Sequence, residues 1–475
     1  MSHTRSPETT TPAAATPVTA DDGLTALPHG MGWVVGSRAL AVRLLGDQRL
    51  GVLEPRPVMD HLATKVDPGL RPLIDEISSF AERVMLQTGH DRHQELRRAF
   101  GGFFDADAVE ARTPRLRQAA EEIVRPFAAA GGGEFMTAVA FPYAVRTGAR
   151  LIGFTDAEYR LLHKLSQQVA LVAYAARVED PAEAVRAGHA ALVRVRETLA
   201  DARAVAPRDS VLGAWHAGEI GLPDADVEAN AVMLVQASLE TVAGMLGNTA
   251  VRVLDTPGAL DPVLLEERID AALRAEPPLK TLERVVREPF RLAGREFRAG
   301  QVVSVRVADA NRLDDAPVAG RALFSFGWGA YRCLGARLAR HQARELFQAL
   351  HRAAPDATYA DADADADTGS AVERVRHIRF DMPRRLPVRC APPAAEAAPP
   401  PSGGLPDAHT DVLADVLTDV LTEALEEDDV DRPLTSLERE VTYVVLTENG
   451  VTVPEDLRGP TTIREWVTWA ASARG

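Results

Sequence analysis

Cysteine is almost missing from this chain: Cys333 and Cys390 are the only two among 475 residues. That excludes a disulfide framework, and in a reducing compartment it leaves any cysteine chemistry to a single thiol. Lysine is nearly as scarce, with Lys65, Lys164 and Lys280 the whole complement, so the positive charge is arginine, the side chain suited to bidentate carboxylate pairing. No run reaches the roughly 18 consecutive apolar residues of a membrane span, and no basic-then-apolar leader opens the chain. The expectation is a cytoplasmic protein that does not meet a membrane. A formal charge of −15 excludes a general nucleic-acid binder, whose phosphate contacts need a basic face. What is present, 46% hydrophobic and 25% charged residues, is the balance of a chain that buries a large core, and the length allows about two to four domains.

Composition changes along the chain. Residues 1–22 are mostly Thr, Pro, Ala and Ser without apolar periodicity and read as a disordered leader. From 23 to 390 the pattern is mainly helical. Leu116, Ala120, Ile123 and Val124 share a face within 115–125, and 228–254 carries a long apolar face that predicts a helix crossing a core. After Pro278 short strand-like runs follow at 290–292 and 302–307, punctuated by Gly294 and Gly300, and a helix returns over 334–353. The fold class is mainly α, an α+β body with small sheets. The alternating Ala-Asp run 360–367 has no apolar face and reads as a solvated loop. Residues 391–408 form a Pro-rich linker, and 409–475 hold three amphipathic patterns, a small acidic helical bundle.

The segment with most chemical content is Phe326-Gly-Trp-Gly-Ala-Tyr331-Arg-Cys333-Leu-Gly335-Ala-Arg-Leu-Ala-Arg340. Glycines on both sides of the cysteine let the backbone bend and its N–H groups approach a sulfur. A helix starting just beyond points its positive end at that sulfur, which predicts a lowered thiol pKa and a thiolate able to ligate iron. The segment resembles the haem-binding signature of the cytochrome P450 family, F-G-x-G-x-H-x-C-x-G-x-x-L-A-R. It departs only at Tyr331, where the family places a histidine that bonds a haem propionate, a bond a phenol can also donate. The resemblance implies haem b with Cys333 as axial thiolate. It also implies that His93 and Arg97, in the order H-x-x-x-R, and Arg284, six residues after Pro278, bind propionates. Phe326 and Gly335 belong to the same cradle. Glu240-Thr241, within Ala237-Ser-Leu-Glu-Thr, is similar to the family's acid–alcohol pair for proton delivery during oxygen activation, with Ser238 in place of a glycine.

Two family features are missing. The E-x-x-R motif reads Ala271-Ala-Leu-Arg274, and the loop between Asn311-Arg312 and Phe326 is short. Asp270 lies about 100° around the helix from position 271 and reads as a poor substitute. Residues 409–475 resemble an acyl or peptidyl carrier domain, with Ser436 the candidate for 4′-phosphopantetheine, although Thr435 and Glu438 also fit a capping box. Arg337, Arg340 and Arg344 share a helix face that reads as a basic patch for a ferredoxin-type electron donor or for the chain's own tail. The sequence reading is a haem-thiolate monooxygenase of bacterial secondary metabolism, acting on a small-molecule or carrier-bound substrate. Its alternative is a non-catalytic partner with the same fold that docks to a biosynthetic synthase.

Overall fold

The computed structural model describes residues 23–178, 180–255, 260–312, 323–359, 372–375, 377, 379–390 and 464. The leader, the alternating Ala-Asp run, the linker and nearly all of the carrier-like unit, Ser436 included, lie outside the described residues.

The body is helical with small sheets, as the periodicity predicts. The largest sheet has five strands in the order Leu24–Ala26, Gly32–Val35, Val302–Arg306, Thr281–Val286 and Leu50–Gly51. Only Gly32–Val35 and Val302–Arg306 run parallel. The two-residue period of the strand sets Leu282, Arg284 and Val286 on one face. Val286 joins Val303, Val305 and Phe324 in a buried cluster, so Arg284 carries its charge into an apolar layer.

The expected core helix is two helices, Asp224–Ser238 and Glu240–Val253, interrupted at Leu239. By length and composition the 30 residues Asp224–Val253 would suit a membrane, but their most apolar stretch is 72% buried inside the fold, as in the core helix of a globular body. The interruption has a local cause. Ser238 Oγ donates to Leu234 O at 2.6 Å and Thr241 Oγ1 to Ala237 O at 2.5 Å, so hydroxyls occupy carbonyls that backbone N–H groups would otherwise use.

A long helix, Ala106–Ala129, lies beside the cysteine helix Ala336–Ala353. Their contacts advance together: Thr113 Oγ1 to His341 Nδ1 at 3.1 Å, Arg117 to Glu345 at 2.9 Å, Glu121 to Arg352 at 2.8 Å. The two helices therefore run parallel, with both N-termini at the cysteine end. At the far end Cys390 N–H donates to Gly131 O, just beyond the long helix.

Candidate haem-thiolate site

The cysteine loop is a backbone construction. Cys333 N–H donates to Phe326 O at 2.7 Å and Gly327 N–H to Phe324 O at 2.7 Å, closing the turn. Gly327 and Gly329 adopt φ of 71° and 68°, the left-handed region that glycine enters without strain. At Gly329 a Cβ would also lie 2.9 Å from Leu45 O, so the loop could not sit against that turn with a larger residue. Solvent reaches Cys333, yet the protein packed round it raises its thiol pKa; Gly335 N–H and then the charges of Arg97 and Arg332 offset this only in part. The helix-induced lowering expected from sequence is thus outweighed by burial.

Four candidate cofactor residues gather beside this loop. The His93 and Tyr331 rings are 4.2 Å apart, and the Arg284 guanidinium lies 4.8 Å over Tyr331. Arg97 donates to Arg332 O. His93 sets its two ring nitrogens against Met85 O at 2.9 Å and Ala330 O at 3.2 Å, and burial lowers its pKa. Its two contacts therefore tie the helix His90–Gly101 to the cysteine loop. Tyr331 O–H donates to Thr88 O at 3.3 Å. Arg284 is 8% exposed, and its one hydrogen bond among the described residues goes to the neighbouring Glu283 O. Burial lowers its pKa, with Tyr331 opposing. A buried guanidinium without a carboxylate is costly, and an anionic ligand supplies the missing partner.

On the broken helix, Ala237 is exposed between the half-buried Gln236 and Ser238, and Thr241, one turn on, is half-buried. Glu240 turns toward the helix Asp156–Leu171. Its Oε1 accepts from Gln167 Nε2 at 2.8 Å and lies 2.9 Å from His163 Nε2. Helical periodicity could not have named His163 and Gln167 as partners, although their i,i+4 spacing marks one face. Tyr159 O–H is 2.7 Å from Ser238 Oγ, which braces the interruption. The hydrogen bonds of Glu240 and Thr241 run to this helix and within their own, none to the cysteine loop.

The missing E-x-x-R glutamate has a structural replacement. Asn311 is fully buried. Its Nδ2 lies 3.2 Å from Arg274 O and 2.8 Å from Ser325 Oγ, and its Oδ1 accepts from Phe324 N–H at 2.8 Å. It thereby joins the helix Leu265–Ala275 to the strand of chain entering the cysteine loop. Asp270 does not replace the glutamate but pairs with Arg340 at 2.7 Å, and Glu266, one turn earlier, pairs with Arg344 at 3.2 Å. Arg340 also stacks over Phe326 at 4.9 Å. The expected three-arginine patch is corrected here: Arg340 and Arg344 are spent on internal ion pairs, leaving Arg337 exposed.

The residues fit haem b by their chemistry: a reachable thiol in a loop closed by backbone hydrogen bonds, and beside it a buried arginine lacking a carboxylate among the described residues. No family model matches the chain. Cytochrome P450-SU2 of Streptomyces griseolus is 26% identical over 341 residues, 68% of this chain and 80% of the relative. The cytochrome P450 monooxygenase PikC of Streptomyces venezuelae is 28% identical over 306 residues, 60% of this chain and 71% of the relative. Among solved structures, CalO2 superposes with a TM-score of 0.64 at 26% identity, covering 78% of this chain and 94% of the other. P450BioI, in complex with a hexadec-9Z-enoic acid ligated acyl carrier protein, does so at 0.62 with 21% identity, covering 75% and 92%. In both fold and sequence the chain is similar to cytochrome P450s.

Proposed function

We propose that the protein is a cytoplasmic haem-thiolate monooxygenase of bacterial secondary metabolism, reduced by a ferredoxin-type donor and oxidising a small or carrier-tethered substrate. The observation that carries this reading is Cys333, accessible in a loop of left-handed glycines beside the uncompensated charge of Arg284. Haem b would supply reductive activation of dioxygen and insertion of one oxygen atom into the substrate. Cys333 would hold the iron, and the Gly335 N–H would stabilise charge on the sulfur. Arg97, Arg284, His93 and Tyr331 would orient the propionates. Thr241 Oγ1 gives its proton to Ala237 O and so keeps lone pairs for an incoming donor. Glu240, held by His163 and Gln167, would supply the proton for that hydroxyl.

A carrier-bound substrate is supported by the carrier-like pattern of 409–475 and by the complex that P450BioI forms. Ser436 stays the attachment candidate for 4′-phosphopantetheine, and intact-mass measurement after treatment with a phosphopantetheinyl transferase reads it directly. The Asn311 linkage supports catalysis over a purely docking role, because it braces the cysteine loop where the E-x-x-R glutamate is missing. The test is oxidation of acyl-carrier thioesters and free small molecules by haem-loaded protein with reduced ferredoxin and dioxygen. Product that disappears in Cys333→Ala supports the reading, and equal turnover in Cys333→Ala contradicts it.

A further inference from the structure

One of the chain's few lysines, Lys280, stands beside the broken helix. A Cβ at Gly244, one turn beyond Glu240, would lie 3.1 Å from Pro278 and 3.2 Å from Met382, so both of these segments pack on that helix. There Leu279 and Phe380 form an isolated antiparallel bridge, flanked by Lys280 N–H to Arg379 O at 2.8 Å and Asp381 N–H to Pro278 O at 2.9 Å. Side chains alternate along paired chain, so Lys280 and Arg379 oppose each other on the side away from Leu279 and Phe380.

Like charges opposed across a bridge repel. Lys280 Nζ donates to His377 O at 2.8 Å, and neither Lys280 nor Arg379 meets a carboxylate among the described residues. His377 adds a third donor. Its Nδ1 accepts from the backbone N–H groups of Arg379 and Phe380 at 3.1 and 3.2 Å, which leaves the proton of the neutral ring on Nε2. Burial and then the charges of Arg379 and Lys280 lower the His377 pKa, with Glu240 opposing. The nearby carboxylates are engaged or turned away. Glu240 is held by His163 and Gln167, Asp381 pairs with Arg374 at 2.9 Å, and Glu283 belongs to the other face of the strand that carries Leu282 and Arg284. Arg284 lies four residues beyond Lys280, about 13 Å along the strand, so the two cationic positions are separate.

We propose that Lys280 and Arg379, with His377 Nε2–H, form an oxyanion subsite for the substrate, which makes the substrate an organic acid or a phosphate ester. A free carboxylate and the phosphate of a carrier's phosphopantetheine arm supply the same chemistry. Either removes the repulsion between the two cations and takes a charge-assisted bond from each. The assignment to substrate rests on the monooxygenase reading: the subsite fixes one end of the molecule beside the broken helix, whose exposed Ala237 leaves room for the rest.

Isothermal titration of the full chain with octanoate, octanol and 4′-phosphopantetheine reads the subsite without turnover. One anion or both should bind more tightly than octanol by about tenfold. Lys280→Met and Arg379→Gln should each weaken that anion by about tenfold, with octanol binding and the melting temperature kept, and Arg379→Lys should retain most of the affinity. Preference for octanoate assigns a free acid, and preference for 4′-phosphopantetheine assigns a carrier arm. Neither anion binding more tightly than octanol, or an anion affinity unchanged in the Lys280→Met, Arg379→Gln double variant, overturns the subsite. Binding heat is read whether or not anything is oxidised, so anion binding without turnover marks failure of the monooxygenase reading alone.

Discussion

The cysteine loop and the broken helix are built in opposite ways. The loop is held by main-chain bonds, Cys333 N–H to Phe326 O and Gly327 N–H to Phe324 O, and by glycine conformations. The helix interruption is made and braced by side chains: Ser238, Thr241, Tyr159, His163 and Gln167. A position fixed by backbone tolerates change in most neighbouring side chains. One fixed by hydroxyls and a carboxylate changes with each of them. The ligand position should therefore be robust and the proton path tunable.

The largest effect is expected where the loop's support is itself a side chain. Asn311→Ala leaves several buried groups unpaired, including Phe324 N–H and Arg274 O, and should lower stability by about 3 kcal/mol, read by urea unfolding. On the helix side, Glu240→Gln should slow oxidation by about 100-fold with little change in melting temperature, since the amide keeps the shape but cannot exchange the proton. Equal rates would remove Glu240 from the proton path.

Arg284→Met separates ligand binding from folding. The haem-free protein should be at least as stable as before, because a buried unpaired charge is gone, while haem affinity should fall by about tenfold through loss of a charge-assisted bond. Haem titration and thermal melting measure the two. If the haem-free protein loses stability instead, Arg284 has a protein partner. The smallest effect belongs to Ser238→Ala, which removes the bond to Tyr159 and costs about 1 kcal/mol; its use is to show whether the interruption persists, by shifting the coupling of electrons to product.

The cysteine loop was legible in the sequence because its information is local: one cysteine, glycines at fixed offsets and a helix beyond. The broken helix was legible as one apolar helix carrying the Glu240-Thr241 pair, but not as broken. Its interruption depends on which carbonyls Ser238 and Thr241 choose, and the direction of Glu240 on a helix far away in the chain. The absence at position 271 was visible, but not its replacement by Asn311, whose partners span 273 to 325. The arginine face was misjudged for a related reason. Arg340 and Arg344 repeat at i,i+4, and so do Asp270 and Glu266 on the neighbouring helix, so two spacings that each look like a surface pattern match one another across a packed interface.

The central claim, that Cys333 holds haem iron as a thiolate, is tested most directly by the absorption spectrum of the haem-supplemented protein after reduction and exposure to carbon monoxide, with haem quantified per chain. The account predicts near-stoichiometric haem and a red-shifted thiolate band that is lost in Cys333→Ala. A protein that takes up no haem, or a band unchanged by Cys333→Ala, would contradict it.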